Sequence, residues 1–183
     1  MAAANIAARS LVIQRAASEH IALLQELYVE AARWRAARGI RLWDEHAFTD
    51  AYMKRFMQER EVFIALAGGD GIGCFAIQWS DTAIWRELDN EESSYLHRLV
   101  VSRKYSGMRL GYRLLERAEE YVKSEGKRFF RLDCMAENKG LNQYYTKAGF
   151  AFVRTATGEG WSANLYEKKA RINTQHYFNL GAS

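Results

Sequence analysis

Apolar positions between residues 18 and 39 recur at Ile21, Leu24, Leu27, Tyr28, Ala31 and Trp34, one stripe of a helix with Ser18 as its N-cap and Gly39 as its stop. Phe48, Tyr52 and Phe56, spaced by four, predict a second helix around residues 45–58. The pattern then changes period. The apolar runs 61–66 and 72–79 flank Ala-Gly-Gly-Asp-Gly, which predicts an antiparallel hairpin. After an acidic stretch at residues 86–94, the run 95–101, Tyr-Leu-His-Arg-Leu-Val-Val, is apolar on both faces apart from His97 and Arg98, as a central strand would be. Leu110, Leu114, Leu115, Ala118, Tyr121 and Val122 share one face of a helix that stops near Gly126, and Phe129-Phe-Arg-Leu-Asp-Cys134 follows. Strand, long helix and strand in this order predict a right-handed crossover between two parallel strands. A short helix over 140–148 and strands near 150–155 and 161–168 complete an α/β architecture, a mixed sheet covered by helices.

The turn Ser106-Gly-Met-Arg-Leu-Gly111, between the central strand and that long helix, carries the candidate chemistry. A turn feeding a helix N-terminus presents backbone N–H groups without intrahelical partners, and their aligned dipoles attract phosphate. A tight reversal of the chain would use the same glycines. Residues 102–131 hold nine Lys or Arg against four Glu, a bias that suits a polyanionic ligand as well as a solvated helix face.

Length and composition set the frame without changing it. A chain of 183 residues, 49% hydrophobic and 26% charged, predicts a single soluble domain over 1–183, with loose ends at 1–9 and 171–183. Its longest apolar runs fall short of the ~20 residues that cross a bilayer, and the Ala-rich start lacks an export leader, so no membrane partner and a cytoplasmic location are expected. Cys74 and Cys134 lack the spacing of a zinc site and read as small buried apolar groups. The net charge of +4 is modest, and with no recognisable reader motif it argues against a nucleic-acid partner.

The turn 106–111, the strand after it, Arg131-Leu-Asp-Cys-Met-Ala-Glu-Asn138, and the segment ending Tyr145-Thr-Lys-Ala-Gly-Phe150 together resemble the GCN5-related N-acetyltransferase (GNAT) family over roughly residues 61–168. The resemblance implies a mixed central sheet with a splayed parallel strand pair and helices on both faces. It implies acetyl-CoA as co-substrate, no metal, a small-molecule or peptide amine as acceptor, direct attack in a ternary complex, and frequent homodimers. Pantetheine would pair with the backbone of Leu99, Val100 and Val101 as an added strand would. The diphosphate would lie over Ser106, Gly107, Met108, Arg109, Leu110, Gly111 and Tyr112.

Tyr145 matches the family's general acid, and a phenol with a pKa near ~10 is suited to protonating a departing thiolate; the alternative is an aromatic anchor for the short helix. Asn138 matches the family's cofactor-binding asparagine and equally suits a turn. Asn142 is a further cofactor-facing candidate. For the base, His97 matches the second histidine of a segment in serotonin N-acetyltransferases, against the alternative of a hydrogen-bonded core histidine. Asp133 matches the position of a glutamate base in ribosomal-protein alanine acetyltransferases, against a salt bridge with Arg131 or Arg98. Glu91 and Glu92 could act through water.

Three positions depart from the family's pattern: Ser106 replaces Arg or Gln, Arg109 replaces Gly, and Arg103 replaces Pro. Arg109 could shield diphosphate charge or crowd the loop. By family analogy the first two helices and the later hairpins build the acceptor site, near Trp34, Arg38, Trp43, Trp79, Trp85 and Trp161. A coenzyme A-binding module without turnover is the alternative reading.

Overall fold

The computed structural model describes residues 11–40 and 43–170. Expectations about the ends, 1–9 and 171–183, lie outside those residues. Among the described residues seven strands form one mixed sheet in the order β1-β2-β3-β4-β5-β7-β6: β1 Leu11–Arg15, β2 Glu61–Ala67, β3 Asp70–Gln78, β4 Ser93–Val101, β5 Phe129–Met135, β6 Ala151–Gly158 and β7 Trp161–Lys169. The helices are α1 Ile21–Ala36, α2 Asp50–Glu59, α3 Thr82–Trp85, α4 Leu110–Ser124 and α5 Lys139–Lys147. By internal contacts the chain divides into two compact units, residues 1–78 with 96–118, and 79–95 with 119–183.

In the first unit, α1 buries Ile21, Leu24, Leu27, Tyr28 and Ala32, close to the predicted stripe. Its end is a Schellman closure: Gly39 adopts φ +76°, the Ile40 N–H donates to the Arg35 carbonyl at 3.0 Å, and the Gly39 N–H to Ala36 at 3.0 Å. The second predicted helix starts later than the aromatic spacing suggests. A short 3-10 turn occupies Glu45–Ala47, and α2 begins only where Thr49 caps it by accepting from the Tyr52 N–H at 3.2 Å.

The β2–β3 hairpin closes through Gly68 and Gly69 at φ +60° and +89°, the two left-handed residues that a type I′ turn requires. Outside it lies β1, antiparallel to β2, with Leu11 opposite Ala67 and Arg15 opposite Phe63. A close approach fixes β3 against β4 and α4. A Cβ on Gly73 would stand 2.8 Å from both Leu114 Cδ1 and the Val100 carbonyl oxygen.

In the second unit, β5 runs antiparallel to β7, and β7 to β6. The start of β4 lies beside the start of β5: the Arg128 and Phe129 N–H groups donate to the Glu92 carbonyl at 2.8 and 3.1 Å, and Ser94 Oγ donates to Phe129 O at 3.2 Å. Both strands therefore set out in the same direction, as the crossover predicts. Trp85, Tyr95, Ala156 and Leu165 form the core here. Arg131, almost wholly buried, donates to Glu167 Oε2 at 2.8 Å, Leu88 O at 2.7 Å and Tyr95 Oη at 3.1 Å. Glu167, facing it across the β5–β7 register, is thus an ion-pair partner of Arg131.

Both cysteines are buried and free, and burial, the largest cause in each, pushes both thiols up to about 12. They pack as small buried groups, as expected. Among the described residues no helix is long and apolar enough to cross a membrane.

Candidate functional site

The candidate functional side chains fall into two sets, one in each unit. The first starts at the end of β4. Ser102 N donates to Ile72 O at 2.9 Å, holding the chain to β3. Glu30 of α1 then takes the start of the loop, accepting from Arg103 N at 3.0 Å and Ser102 Oγ at 3.4 Å. The guanidinium of Arg103 lies 4.2 Å from the centroid of Trp34, which also carries Arg38 at 4.0 Å, and donates through Nη2 to Ser106 Oγ at 3.2 Å. Two of the three departures from the family's pattern therefore hold each other. Arg103 stiffens by contact a place that Pro would stiffen by its ring.

Gly107 follows at φ +82°, then Arg109 at φ +57°. The second is a left-handed position held by a side chain, which costs ~1–2 kcal/mol relative to Gly. Arg109 is exposed, and its guanidinium lies 5.6 Å from the Tyr112 ring centroid, on the first turn of α4. The N–H groups of Tyr112 and Arg113 both return to the Arg109 carbonyl, at 3.1 and 3.3 Å. Those of Gly107, Arg109, Leu110 and Gly111 make no backbone hydrogen bond among the described residues. Such a row of donors at a helix mouth suits an anion with several oxygens.

The same unit holds the other predicted residues of β4. Val100 is buried, and His97, Leu99 and Val101 are half-buried. Arg98, between His97 and Leu99, takes φ +52° and so interrupts the pleat. Its guanidinium lies among the rings of Tyr28, Trp43, Phe48, Tyr52 and Phe56.

The second unit positions Asn138, Asn142 and Tyr145. Asn138 caps α5 by accepting from the Leu141 N–H at 3.0 Å. Asn142 is a hub. Its Nδ2 donates to Asn138 O at 2.7 Å, Met135 O at 3.1 Å and Ala136 O at 3.2 Å, while Oδ1 accepts from Tyr166 Oη at 2.7 Å and Asn164 Nδ2 at 2.8 Å. Both ends of its amide are committed to the protein, so it fixes the turn between β5 and α5. Nothing in the sequence spacing marks it as that hub.

Tyr145 is buried, with Tyr144, Phe150 and Tyr166 ring centroids at 5.4, 6.1 and 6.3 Å. Gly149 at φ +89° ends α5 in a second Schellman closure, the Phe150 N–H donating to Tyr145 O at 3.1 Å and the Gly149 N–H to Thr146 O at 3.0 Å. Lys168 Nζ adds a donor to Ala148 O at 3.2 Å and an ion pair to Glu119 at 2.6 Å. Asp133 stands half-buried on β5, opposite Leu165 of β7. Of the five tryptophans, Trp85 is core of this unit, Trp161 is exposed and Trp79 lies against Tyr121 with ring centroids 6.1 Å apart, which leaves Trp34 and Trp43 beside the first two helices.

Residues 20–150 match the model of the acetyltransferase (GNAT) family. The Bacillus subtilis protein called uncharacterized N-acetyltransferase YesJ is 33% identical over 150 residues, 78% of this chain and 81% of that protein. A GNAT family acetyltransferase from Listeria monocytogenes has a crystal structure with a TM-score of 0.70 and 27% identity, covering 87% of this chain and 94% of that one. The fold is also that of the PaiA N-acetyltransferase from Thermoplasma acidophilum, solved in complex with coenzyme A, at a TM-score of 0.66 and 22% identity over 87% and 99% of the chains.

Proposed function

Since the chain belongs to the acetyltransferase (GNAT) family, we propose that it transfers an acetyl group from acetyl-CoA to the primary amine of a small molecule or peptide, by direct attack in a ternary complex. The observation that carries this reading is the set of N–H groups of Gly107, Arg109, Leu110 and Gly111 that have no backbone partner among the described residues, on a loop held by Glu30, Arg103 and Ser106. Those donors fit a diphosphate, and the exposed Arg109 adds a charge beside them. Backbone groups of Leu99, Val100 and Val101 are the proposed partners of the pantetheine amides, and Asn138 is a further contact.

In the reaction the amine nitrogen forms a bond to the acetyl carbon and the carbon–sulfur bond breaks. His97 or Asp133 takes the ammonium proton, directly or through water, so that the nitrogen can attack. Tyr145 gives its phenolic proton to the leaving sulfur.

The enclosure of Tyr145 by three rings favours a second reading, a coenzyme A-binding module without turnover. Thiol release from acetyl-CoA, followed with and without a library of primary amines, separates the two. The enzyme releases thiol in an amine-dependent way, whereas a binding module retains acetyl-CoA and releases none.

A further inference from the structure

Among the described residues Arg98 is a guanidinium without a counter-ion. Its Cζ lies 5.0 Å from the Trp43 centroid, 5.3 Å from Phe56, 5.5 Å from Phe48, 5.6 Å from Tyr52 and 5.8 Å from Tyr28. Among the described residues it has no carboxylate partner, and its buried Nη1 makes no hydrogen bond. The rings attract the charge, but at 5 Å and beyond they stand near the outer limit of that attraction and accept none of the in-plane N–H donors.

Arg131 shows how this chain treats a buried guanidinium that serves the fold. There a carboxylate, a carbonyl and a phenol take up its donors. Arg98 has none of these among the described residues, and it sits at φ +52° inside a strand, a strained conformation of the kind that accumulates at ligand sites. It is also only half-buried, so it is reachable from solvent.

We propose that Arg98 is the anion-recognition residue of the acceptor site, and that the acceptor is an amine that also carries a carboxylate, that is, an amino acid. The inference rests on the acetyltransferase reading. Arg98 directly precedes Leu99, the first residue of the stretch assigned to pantetheine, one Cα step of ~3.8 Å away. A carboxylate matches the planar fork of the guanidinium with two parallel hydrogen bonds. A single negative charge neutralises this single cation, whereas a phosphate dianion would bring an uncompensated charge among rings that offer it nothing. The rings then contact the apolar part of the acceptor.

The test uses the full chain with acetyl-CoA and a panel of amino acids, each paired with the amine left by its decarboxylation, for example phenylalanine with phenethylamine. Thiol release gives kcat/KM, and calorimetry gives binding of each compound to the protein with and without acetyl-CoA. At least one amino acid is expected to exceed its decarboxylated partner by about tenfold or more, as a charge-assisted fork requires. Arg98→Gln abolishes that ratio, mainly through KM, and leaves acetyl-CoA binding unchanged. Arg98→Lys, which keeps the charge without the fork, gives an intermediate ratio and serves if the glutamine variant does not fold. Pairs that all bind and react alike in the wild type, a preference for the decarboxylated amines, or a ratio that survives in Arg98→Gln overturns the proposal. A wild-type protein that binds no acetyl-CoA sinks the acetyltransferase reading instead, and calorimetry of the amino acids alone still decides the fate of Arg98.

Discussion

The Phe150 N–H donates to the carbonyl of Tyr145 at 3.1 Å while the rings of the same two residues lie edge to face with centroids 6.1 Å apart. One backbone bond and one side-chain contact thus lock the end of α5, and the glycine between them at φ +89° permits both. A Cβ at Gly149 would meet only the Lys168 side chain, at 3.5 Å, so the left-handed backbone alone sets the demand. Gly149→Ala is expected to destabilise the protein by about 1 kcal/mol. Urea denaturation measures it, and unchanged stability would mean that the closure does not hold the helix.

Tyr145 itself is assigned the proton that the departing sulfur receives. Tyr145→Phe keeps the ring contacts and removes that proton. Its kcat should fall by about 10²-fold, with KM for acetyl-CoA little changed. Steady-state kinetics at neutral pH checks this, and an unaltered kcat would return Tyr145 to a packing role.

Gly73 allows β3 to approach Val100 and Leu114. A methyl group there would meet the Val100 carbonyl oxygen and Leu114 Cδ1 at 2.8 Å, and the carbonyl belongs to a strand that cannot simply rotate away. Gly73→Ala should destabilise by about 2 kcal/mol and weaken acetyl-CoA binding together, since Val100 lies in the stretch assigned to pantetheine. Denaturation and calorimetry on one sample set test the coupling.

Arg109 replaces a glycine at φ +57°. Relief of strain and the greater freedom of the unfolded chain nearly cancel, so Arg109→Gly should leave stability within about 1 kcal/mol of the wild type. If the side chain shields diphosphate, the variant binds acetyl-CoA about fivefold more weakly at low salt, and the difference shrinks as salt rises. Tighter binding by the variant would show that Arg109 obstructs the loop.

Glu119 ties α4 to β7 through Lys123 at 2.7 Å and Lys168 at 2.6 Å. Partial burial works to raise its pKa, and the hydrogen bonds and charges of the two lysines outweigh that and hold the carboxyl below its ordinary 4.5. The folded state thus favours the ionised form. Its stabilisation is present above the ordinary value and is lost as pH falls through the lower folded value. Glu119→Gln should therefore melt earlier than the wild type at pH 7, with the gap closing below pH ~4. Melting curves across that range decide it.

What the sequence revealed followed from local rules. The Gly68-Gly69 turn, the stop at Gly39 and the Tyr-x-x-x-Gly-Phe closure each rest on residues within a few positions of one another, so spacing and type suffice. The strand Leu11–Arg15 went unread because five residues carry little pattern and its partner β2 is some fifty residues away. The hold of Glu30 on Arg103 joins residues 73 apart, and the hub at Asn142 draws on three separate elements. The ring cluster around Arg98 gathers α1, α2 and the segment between them, a tertiary event that helical spacing reports only as apolar faces.

The central claim, that the amides of Gly107, Arg109, Leu110 and Gly111 grip the diphosphate of acetyl-CoA, is tested most directly by titrating acetyl-CoA into the protein by calorimetry at moderate salt, beside Gly107→Ala. That substitution strains a backbone at φ +82° and places its methyl in open space. A saturable one-site isotherm, weakened about tenfold in the variant, is the expected result. No saturable binding by the wild type, or equal affinity in both proteins, would contradict the claim.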